Sequence, residues 1–305
     1  MIQSPLQAPF RIRVPASTSN LGPGFDCLGL AVDRYLELTW DPARDGTSAT
    51  GVLPPAGFGN LLDRSRASLG LPERGQLGVS SEIPVGRGLG SSAALRIALA
   101  ALRQHLRGGA VERTELLRSV SDEEGHPDNV APALMGGLVA ASHGPEGVDA
   151  VPLGISDQVG LAFAAPRDPL STEEARRVLP AQVDLAVAVR TVGRMARLIP
   201  ALAVGDGDGI RRGLVDEIHV PPRLRLIPGS DAVARAALDA GAWGCTISGA
   251  GSGMIALGPV ARMAQVRDAM HAAFLKAEVG GPADALLDEP PAFVLQVDYA
   301  GAIWE

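Results

Sequence analysis

The chain carries its apolar residues in two rhythms. From Arg11 to Val14 charged and apolar residues alternate, as in a half-buried strand. Ala16 to Gly29 is turn-rich, and LAVDRYLELTW, from about Leu30 to Trp40, reads as a second strand. DPARDGTSATGVLPPAGFGN reads as a loop with room for short strands. NLLDRSRASLG, Asn60 to Gly70, predicts a helix capped by Asn60, and GQLGVSSEIPV predicts a strand. From Ser92 to Leu106 the period changes. Ala94, Leu95, Ala98, Leu99 and Leu102 recur at helical spacing, with Arg96, Arg103 and Gln104 at the margins, which predicts a buried helix.

A second helix is predicted over Val111 to Glu123, followed by a short one in GHPDNVAPALMGGLVAAS, broken by Gly136 and Gly137. Composition shifts between residues 144 and 160, which suggests one domain over 1–155 and another over 156–305. In the second part LAFAAP reads as a strand, and STEEARRVLP as a helix capped by Ser171 or Thr172 with Glu173 and Glu174 in its first turn. A long helix is predicted from Gln182 to Leu202, joined by LVDEIHVPPRLRLIPG to a helix in SDAVARAALDAG. CTISGAGSGMIALG reads as strand, glycine turn and strand, Val260 to Ala277 as a helix, and AFVLQVDYAG as a closing strand. This order predicts an α+β fold with antiparallel sheet covered by helices.

Composition narrows the function. The chain has 305 residues, 46% of them hydrophobic, enough for a large core. A net charge of -7 argues against a nucleic-acid partner. No segment offers the roughly 18 apolar residues of a membrane span, and the amino-terminal stretch lacks an apolar core of signal-peptide length. Cys27 and Cys245 stand apart in apolar surroundings and read as buried, reduced thiols, which points to the cytoplasm. The five histidines are too scattered for a zinc site. The only lysine is Lys276, so no Walker-type GKS or GKT is present, and phosphate would need another device.

PVGRGLGSSAALR, Pro84 to Arg96, offers one. A glycine-rich turn runs straight into the helix, whose first N–H groups have no internal partner and whose dipole is positive there. Glycines admit a phosphate close to that backbone, and Ser91 and Ser92 add hydroxyls. The same letters also fit a plain strand–helix connection with a serine cap, and physics alone leaves both readings open.

PVGRGLGSSAA resembles the phosphate-binding signature of the GHMP kinase superfamily. VPASTSNLGPGFDCLGLAV, EGHPDNVAPALMGG, LSTEEARRVLP, HVPPRLRLIPG, TISGAGSGMIAL and VDYAGAIWE, in that order, are similar to segments of its homoserine kinase family. The resemblance implies an α+β protein of two domains sharing a cleft, with a possible homodimer. It implies ATP and Mg2+ as cofactors, L-homoserine as acceptor, and O-phospho-L-homoserine, a threonine precursor, as product. Another GHMP kinase, acting on mevalonate or a sugar, and a non-catalytic ligand-binding module are the alternatives.

By the same resemblance, Pro84, Gly86, Gly88, Leu89, Gly90, Ser91 and Ser92 cradle the nucleotide, and Asn60 matches a position near adenine, though capping suits it equally. Ser92 and Glu124 hold the magnesium. Asp26 faces the substrate's amine and Asn20 either its hydroxyl or its amine, while Arg176, on one helix face with Thr172, and Arg223 face its carboxylate. His126, Asp128 and Asn129 line the substrate end, and Gly249, Gly251 and Gly253 shape the pocket. Asn129 stands near the place where some relatives carry an aspartate base. An amide takes no proton at neutral pH, which favours proton transfer to the phosphate itself. Arg87 either reaches the transferring phosphoryl or points outward. Ser252 stands where the family usually has proline, exchanging a fixed φ for a donor.

Overall fold

The computed structural model describes residues 8–51, 67, 75–277 and 290–305; apart from residue 67 the helix expected from Asn60 to Gly70, and Asn60 itself, lie outside the described residues.

The first sheet grows from an antiparallel pair, β1 (Phe10–Ser19) and β2 (Leu28–Asp41). Phe10, Ile12, Val14 and Ala16 are buried while Arg11 and Arg13 face outward, the two-residue period of a strand with one covered face. β3 (Asp45–Gly51) and β4 (Gly75–Ser81) extend it in the order β1-β2-β4-β3. β3 and β4 run parallel, the one departure from an antiparallel pattern among the described strands. The hairpin of β5 (Leu138–Gly144) and β6 (Gly147–Leu153) fills the stretch where composition shifts, with β5 pairing to the start of β2. β1 runs four residues, Ala16 to Ser19, into the stretch that reads as turn-rich. Ser17, Thr18 and Ser19 are polar yet fully buried, because each hydroxyl has a partner on another element.

Over this sheet lie α1 (Ser91–Leu106), α2 (Arg113–Glu124) and α3 (Val130–Met135). The second sheet has the order β10-β7-β9-β8, formed by β7 (Val159–Ala164), β8 (Gly244–Ile247), β9 (Met254–Pro259) and β10 (Ala292–Leu295). Between β7 and β8 run α4 (Thr172–Arg177), α5 (Leu185–Val204), α6 (Gly207–Gly213), α7 (Val220–Leu224) and α8 (Ser230–Asp239); α9 (Met263–Ala277) follows β9. α7 occupies the stretch that reads as a connection, and α6 lies just before it; each is too short to show a period.

β7 is buried on both faces and joins the two halves. Leu161 and Phe163 belong to the core that includes Ile12, Leu30 and Leu102, whereas Ala162 and Ala164 pack in a second core with Val233, Met263 and Phe274 from α8 and α9. One apolar core therefore spans both sheets. The chain's end returns to the first sheet: β11 (Ile303–Trp304) pairs with β1, and Val297 bridges to Val32. These last residues lie with the first sheet, not with the sequence that immediately precedes them.

Candidate active site

A cavity of about 540 Å³ opens where the glycine turn, α1, the β1–β2 connection, α4 and the β8–β9 turn meet. One end of it is formed by the start of α1. Gly90 is the N-cap in a left-handed conformation at φ 66°, and no side chain caps the helix. Ser91 and Ser92 are therefore helical residues that line the cavity, and the capping alternative does not apply to them. Gly86, Gly88, Leu89 and Gly90 line it too; Pro84 does not.

Gly88 shows why the turn needs glycine. Its φ is 75°, and a Cβ there would lie 1.8 Å from the Ser248 carbonyl oxygen. That contact locks the loop to the β8–β9 turn, where Ser248 Oγ donates to the Gly88 carbonyl at 2.7 Å and the Gly249 N–H donates to the Ser19 carbonyl at 2.9 Å. Ser252 uses its hydroxyl to donate to the Asp168 carbonyl at 2.8 Å. Gly249, Ala250 and Gly251 line the cavity.

Glu124 closes the far side from the end of α2. Ser92 Oγ donates to Glu124 Oε1 at 2.7 Å, and Arg96, one turn along α1, holds the same oxygen at 2.8 Å. Ser92 and Glu124 thus present adjacent hard oxygens, the donor chemistry that magnesium takes.

At the other end the β1–β2 connection folds tightly. Asn20 and Asp26 have φ of 60° and 54°, and Asn20 Oδ1 accepts the Asp26 N–H at 2.8 Å. Left-handed conformations outside glycine persist where surrounding contacts over-determine them. Both residues line the cavity. α4 begins with a capping box in which Ser171 Oγ accepts the Glu174 N–H at 3.1 Å, which makes Ser171 the cap and Thr172 the first helical residue. Thr172 and Arg176 then share the cavity-facing side. Arg176 donates to Asp26 Oδ2 at 3.0 Å and to Asp26 Oδ1 at 2.8 Å.

Arg223 is the most unusual group. α7 opens Val-Pro-Pro, where missing N–H groups cost nothing, and carries Arg223 inward to 1% exposure. Its guanidinium donates to the carbonyls of Ala175 at 3.2 Å and Gly249 at 3.4 Å, and to His219 Nδ1 at 3.4 Å, all uncharged acceptors. Burial, and then the nearby Arg176 charge, push its pKa down. The Phe25 ring lies against it, 4.9 Å from the guanidinium, and stacks on His219 at 5.0 Å.

Asn129 lines the cavity with its amide fixed at both ends. Its Nδ2 donates to Ser19 Oγ at 2.8 Å and its Oδ1 accepts from Ser17 Oγ at 3.0 Å. His126 lines it as well; its Nδ1 donates to Asp128 Oδ1 at 2.9 Å, which raises the imidazole's pKa. Asp26, His126 and Asp128 have side-chain atoms within 4.8 Å of one another. Arg176 already takes both Asp26 oxygens, so this grouping is an ion-pair cluster.

Two expected residues are directed elsewhere. Asp128, at 1% exposure, does not line the cavity; it sits behind His126 and Asn129 and orients them. Arg87 is buried, and its guanidinium donates to the carbonyls of Val85 and Arg167, tying the turn to the segment after β7. It neither reaches the cavity nor points to solvent, so a role on the transferring phosphoryl does not follow. Arg96, Glu123, Leu95, Leu99 and Arg103 also line the cavity, although no motif in the sequence assigns them to a site. Leu95, Arg96, Leu99 and Arg103 share one face of α1, and Glu123 comes from the end of α2; the helical period shows that face, but not that it meets a cleft.

Residues 60–137 match the model of the GHMP kinases N terminal domain and residues 198–276 that of the GHMP kinases C terminal domain. The homoserine kinase of Moorella thermoacetica is 41% identical over 275 residues, covering 87% of this chain and 92% of that protein. That of a Nostoc species is 36% identical over 88% of this chain and 92% of its own length. The crystal structure of homoserine kinase from Cytophaga hutchinsonii superposes with a TM-score of 0.77 at 30% identity, covering 100% of this chain and 98% of that one. The chain belongs to the homoserine kinase family. A mevalonate kinase from L. major, at 17% identity and a TM-score of 0.64, shares the fold. As a homoserine kinase family member the protein is a GHMP-type α+β enzyme, and dependence on ATP with Mg2+ is the family's mode. Among the described residues no helix is long and apolar enough to cross a membrane, and both cysteines are free.

Proposed function

We propose that this protein transfers the γ-phosphoryl group of ATP to the side-chain hydroxyl of L-homoserine. The observation that carries the reading is Arg223, a buried cation with only neutral acceptors, beside an Arg176–Asp26 pair. A buried guanidinium favours an anion, and a carboxylate matches its fork. A free amino acid supplies that carboxylate to Arg223 and Arg176, and an ammonium to Asp26 and Asn20. Mevalonate brings the carboxylate but no ammonium, and leaves Asp26 unexplained.

The triphosphate lies at the N-terminus of α1, where N–H groups of the Gly88–Ser92 turn and the helix dipole face it. Ser92 and Glu124 would hold the magnesium, which when bound would supply charge neutralisation on the phosphates. The cleft holds the hydroxyl in line with the γ-phosphorus, so orientation and preorganised charge carry the catalysis. The hydroxyl oxygen bonds to phosphorus, the bond to the β–γ bridging oxygen breaks, and the hydroxyl proton passes to a phosphate oxygen. Asn129, pinned by Ser17 and Ser19, orients the hydroxyl as a hydrogen-bond partner. Residues 1–155 supply the phosphate-binding half of this site and 156–305 most of the carboxylate-binding half.

Purified protein with MgATP and, separately, homoserine, mevalonate, serine and galactose tests the reading by ADP release. Turnover with homoserine is expected. Strong turnover with mevalonate alone overturns it.

A further inference from the structure

Arg96 stands one turn along α1 from Ser92, and its guanidinium lies among the oxygens that suit a divalent cation. Nε is 2.8 Å from Glu124 Oε1 and 3.3 Å from Ser92 Oγ. Nη1 is 2.6 Å from Glu123 Oε1. Ser92 Oγ donates to the same Glu124 oxygen. The Glu124 side chain is 13% exposed, and Oε1 takes both contacts, from Ser92 Oγ and Arg96 Nε.

A metal on Glu124 and Ser92 would sit about 2.0–2.1 Å from their oxygens. Binding through Glu124 Oε1 and Ser92 Oγ needs the lone pairs that Arg96 Nε now faces, and the metal would stand beside a fixed positive charge. The two cations exclude one another. We propose that Arg96 is a positioning residue that holds Glu124 and Ser92 in the metal-free protein and must release them when the metal arrives. The proposal rests on the reading of Ser92 and Glu124 as the metal-binding pair.

Arg96 then works as a gate on loading order. Metal alone meets an occupied site and binds weakly. Metal carried by a triphosphate brings enough negative charge to draw the guanidinium away from Glu124. Released, Arg96 keeps Glu123 and remains on the cavity wall, facing the phosphates.

The test is Mn2+ binding followed by electron paramagnetic resonance, on the nucleotide-free protein and on its ADP complex. The variants are Arg96→Gln, Arg96→Lys, Arg103→Gln and Glu124→Gln, each checked for native melting. Arg103 also lines the cavity but lies two turns further on, so it reports the general effect of removing a positive charge. Without nucleotide, Arg96→Gln should bind Mn2+ about tenfold tighter than wild type, the scale of a lost charge-assisted hydrogen bond. Arg96→Lys should stay near wild type, and Arg103→Gln within about twofold. Equal affinity in wild type and Arg96→Gln, or an equal gain in Arg103→Gln, overturns the gate. Glu124→Gln separates the two ideas. If it leaves Mn2+ on the ADP complex unchanged, the metal-site reading itself fails. If it abolishes that binding while Arg96→Gln matches wild type, only the gate fails.

Discussion

Arg176 and Asp26 lie 150 residues apart in sequence and meet through two nearly parallel hydrogen bonds of 3.0 and 2.8 Å. Under the reading above, one receives the substrate's carboxylate and the other its ammonium. In this arrangement each recognition group acts as the other's partner. An amino-acid zwitterion carries the same two charges and can exchange into the pair without leaving either residue unpaired, whereas a simple carboxylate strands Asp26.

Asp26→Asn should therefore impair substrate use selectively. The amide no longer offers a charge to the ammonium and leaves Arg176 without its counter-ion. The KM for homoserine is expected to rise about 10- to 100-fold, the scale of one charged hydrogen bond, with the KM for ATP nearly unchanged. Steady-state kinetics with each substrate varied in turn measures both. A matching rise for ATP would remove Asp26 from the amino-acid end.

Gly88→Ala tests the phosphate loop. The new methyl group meets the Ser248 carbonyl carbon and oxygen on a backbone at positive φ, and neither neighbour is a flexible side-chain end. A loss of about 1–3 kcal/mol in unfolding free energy is expected from strain of this kind, together with weakened ATP binding. Denaturant melts and calorimetric titration with nucleotide check the two effects. Unchanged stability would mean the loop can back away from β8–β9.

What could be read from the letters, and what could not, follows from the range of the forces involved. The glycine turn before α1 was legible because left-handed backbone and helix-end N–H groups are local properties. β1, β2 and α1 were legible from their periods. Arg87 was not: its direction is set by carbonyls of Val85 and Arg167, and the latter comes from another part of the chain. Asp128 differs from Asp26 only in what packs over it, which no local pattern encodes. Arg96 occupies a helix margin whether that margin meets water or a cleft. β11 is two residues long and lies in the first sheet because the segment around Val297 first bridges to β2.

Glu217 gives a pH-dependent handle on the part of the fold that carries Arg223. It accepts from Arg190 at 3.0 and 2.7 Å, and Arg194 lies 2.5 Å away, tying α5 to the segment that leads into α7. These guanidiniums, Arg190 first, lower its pKa to about 2. A carboxylate with a depressed folded-state pKa stabilises the fold above its unfolded value, near 4.3, and that contribution fades as pH falls towards the folded value. Wild type should have a higher urea midpoint than Glu217→Gln at pH 7, and the gap should narrow steadily below about pH 4.3. A gap that stays constant to pH 3 would show that the arginines are not what Glu217 contributes.

His219 is expected to set the geometry of Arg223. The imidazole is fully buried, its Nε2 donates to the Gly22 carbonyl at 2.7 Å, and its Nδ1 is left to accept from Arg223. That division fixes a neutral ring, and burial lowers its pKa in agreement. Asp216 and Asp26 oppose this shift and Arg223 reinforces it. Because the folded pKa lies below the unfolded one, near 6.5, the unfolded chain takes up a proton first as pH falls. Stability should therefore decline below about pH 6.5, and this slope should be absent in His219 variants. His219→Gln can keep a donor towards Gly22 but loses the acceptor facing Arg223. His219→Asn can keep the acceptor but loses the reach to Gly22. If the acceptor orients Arg223, the Gln variant should raise the KM for homoserine more than the Asn variant does, with kcat for both closer to wild type. Equal effects from the two substitutions would reduce His219 to a packing residue against Phe25.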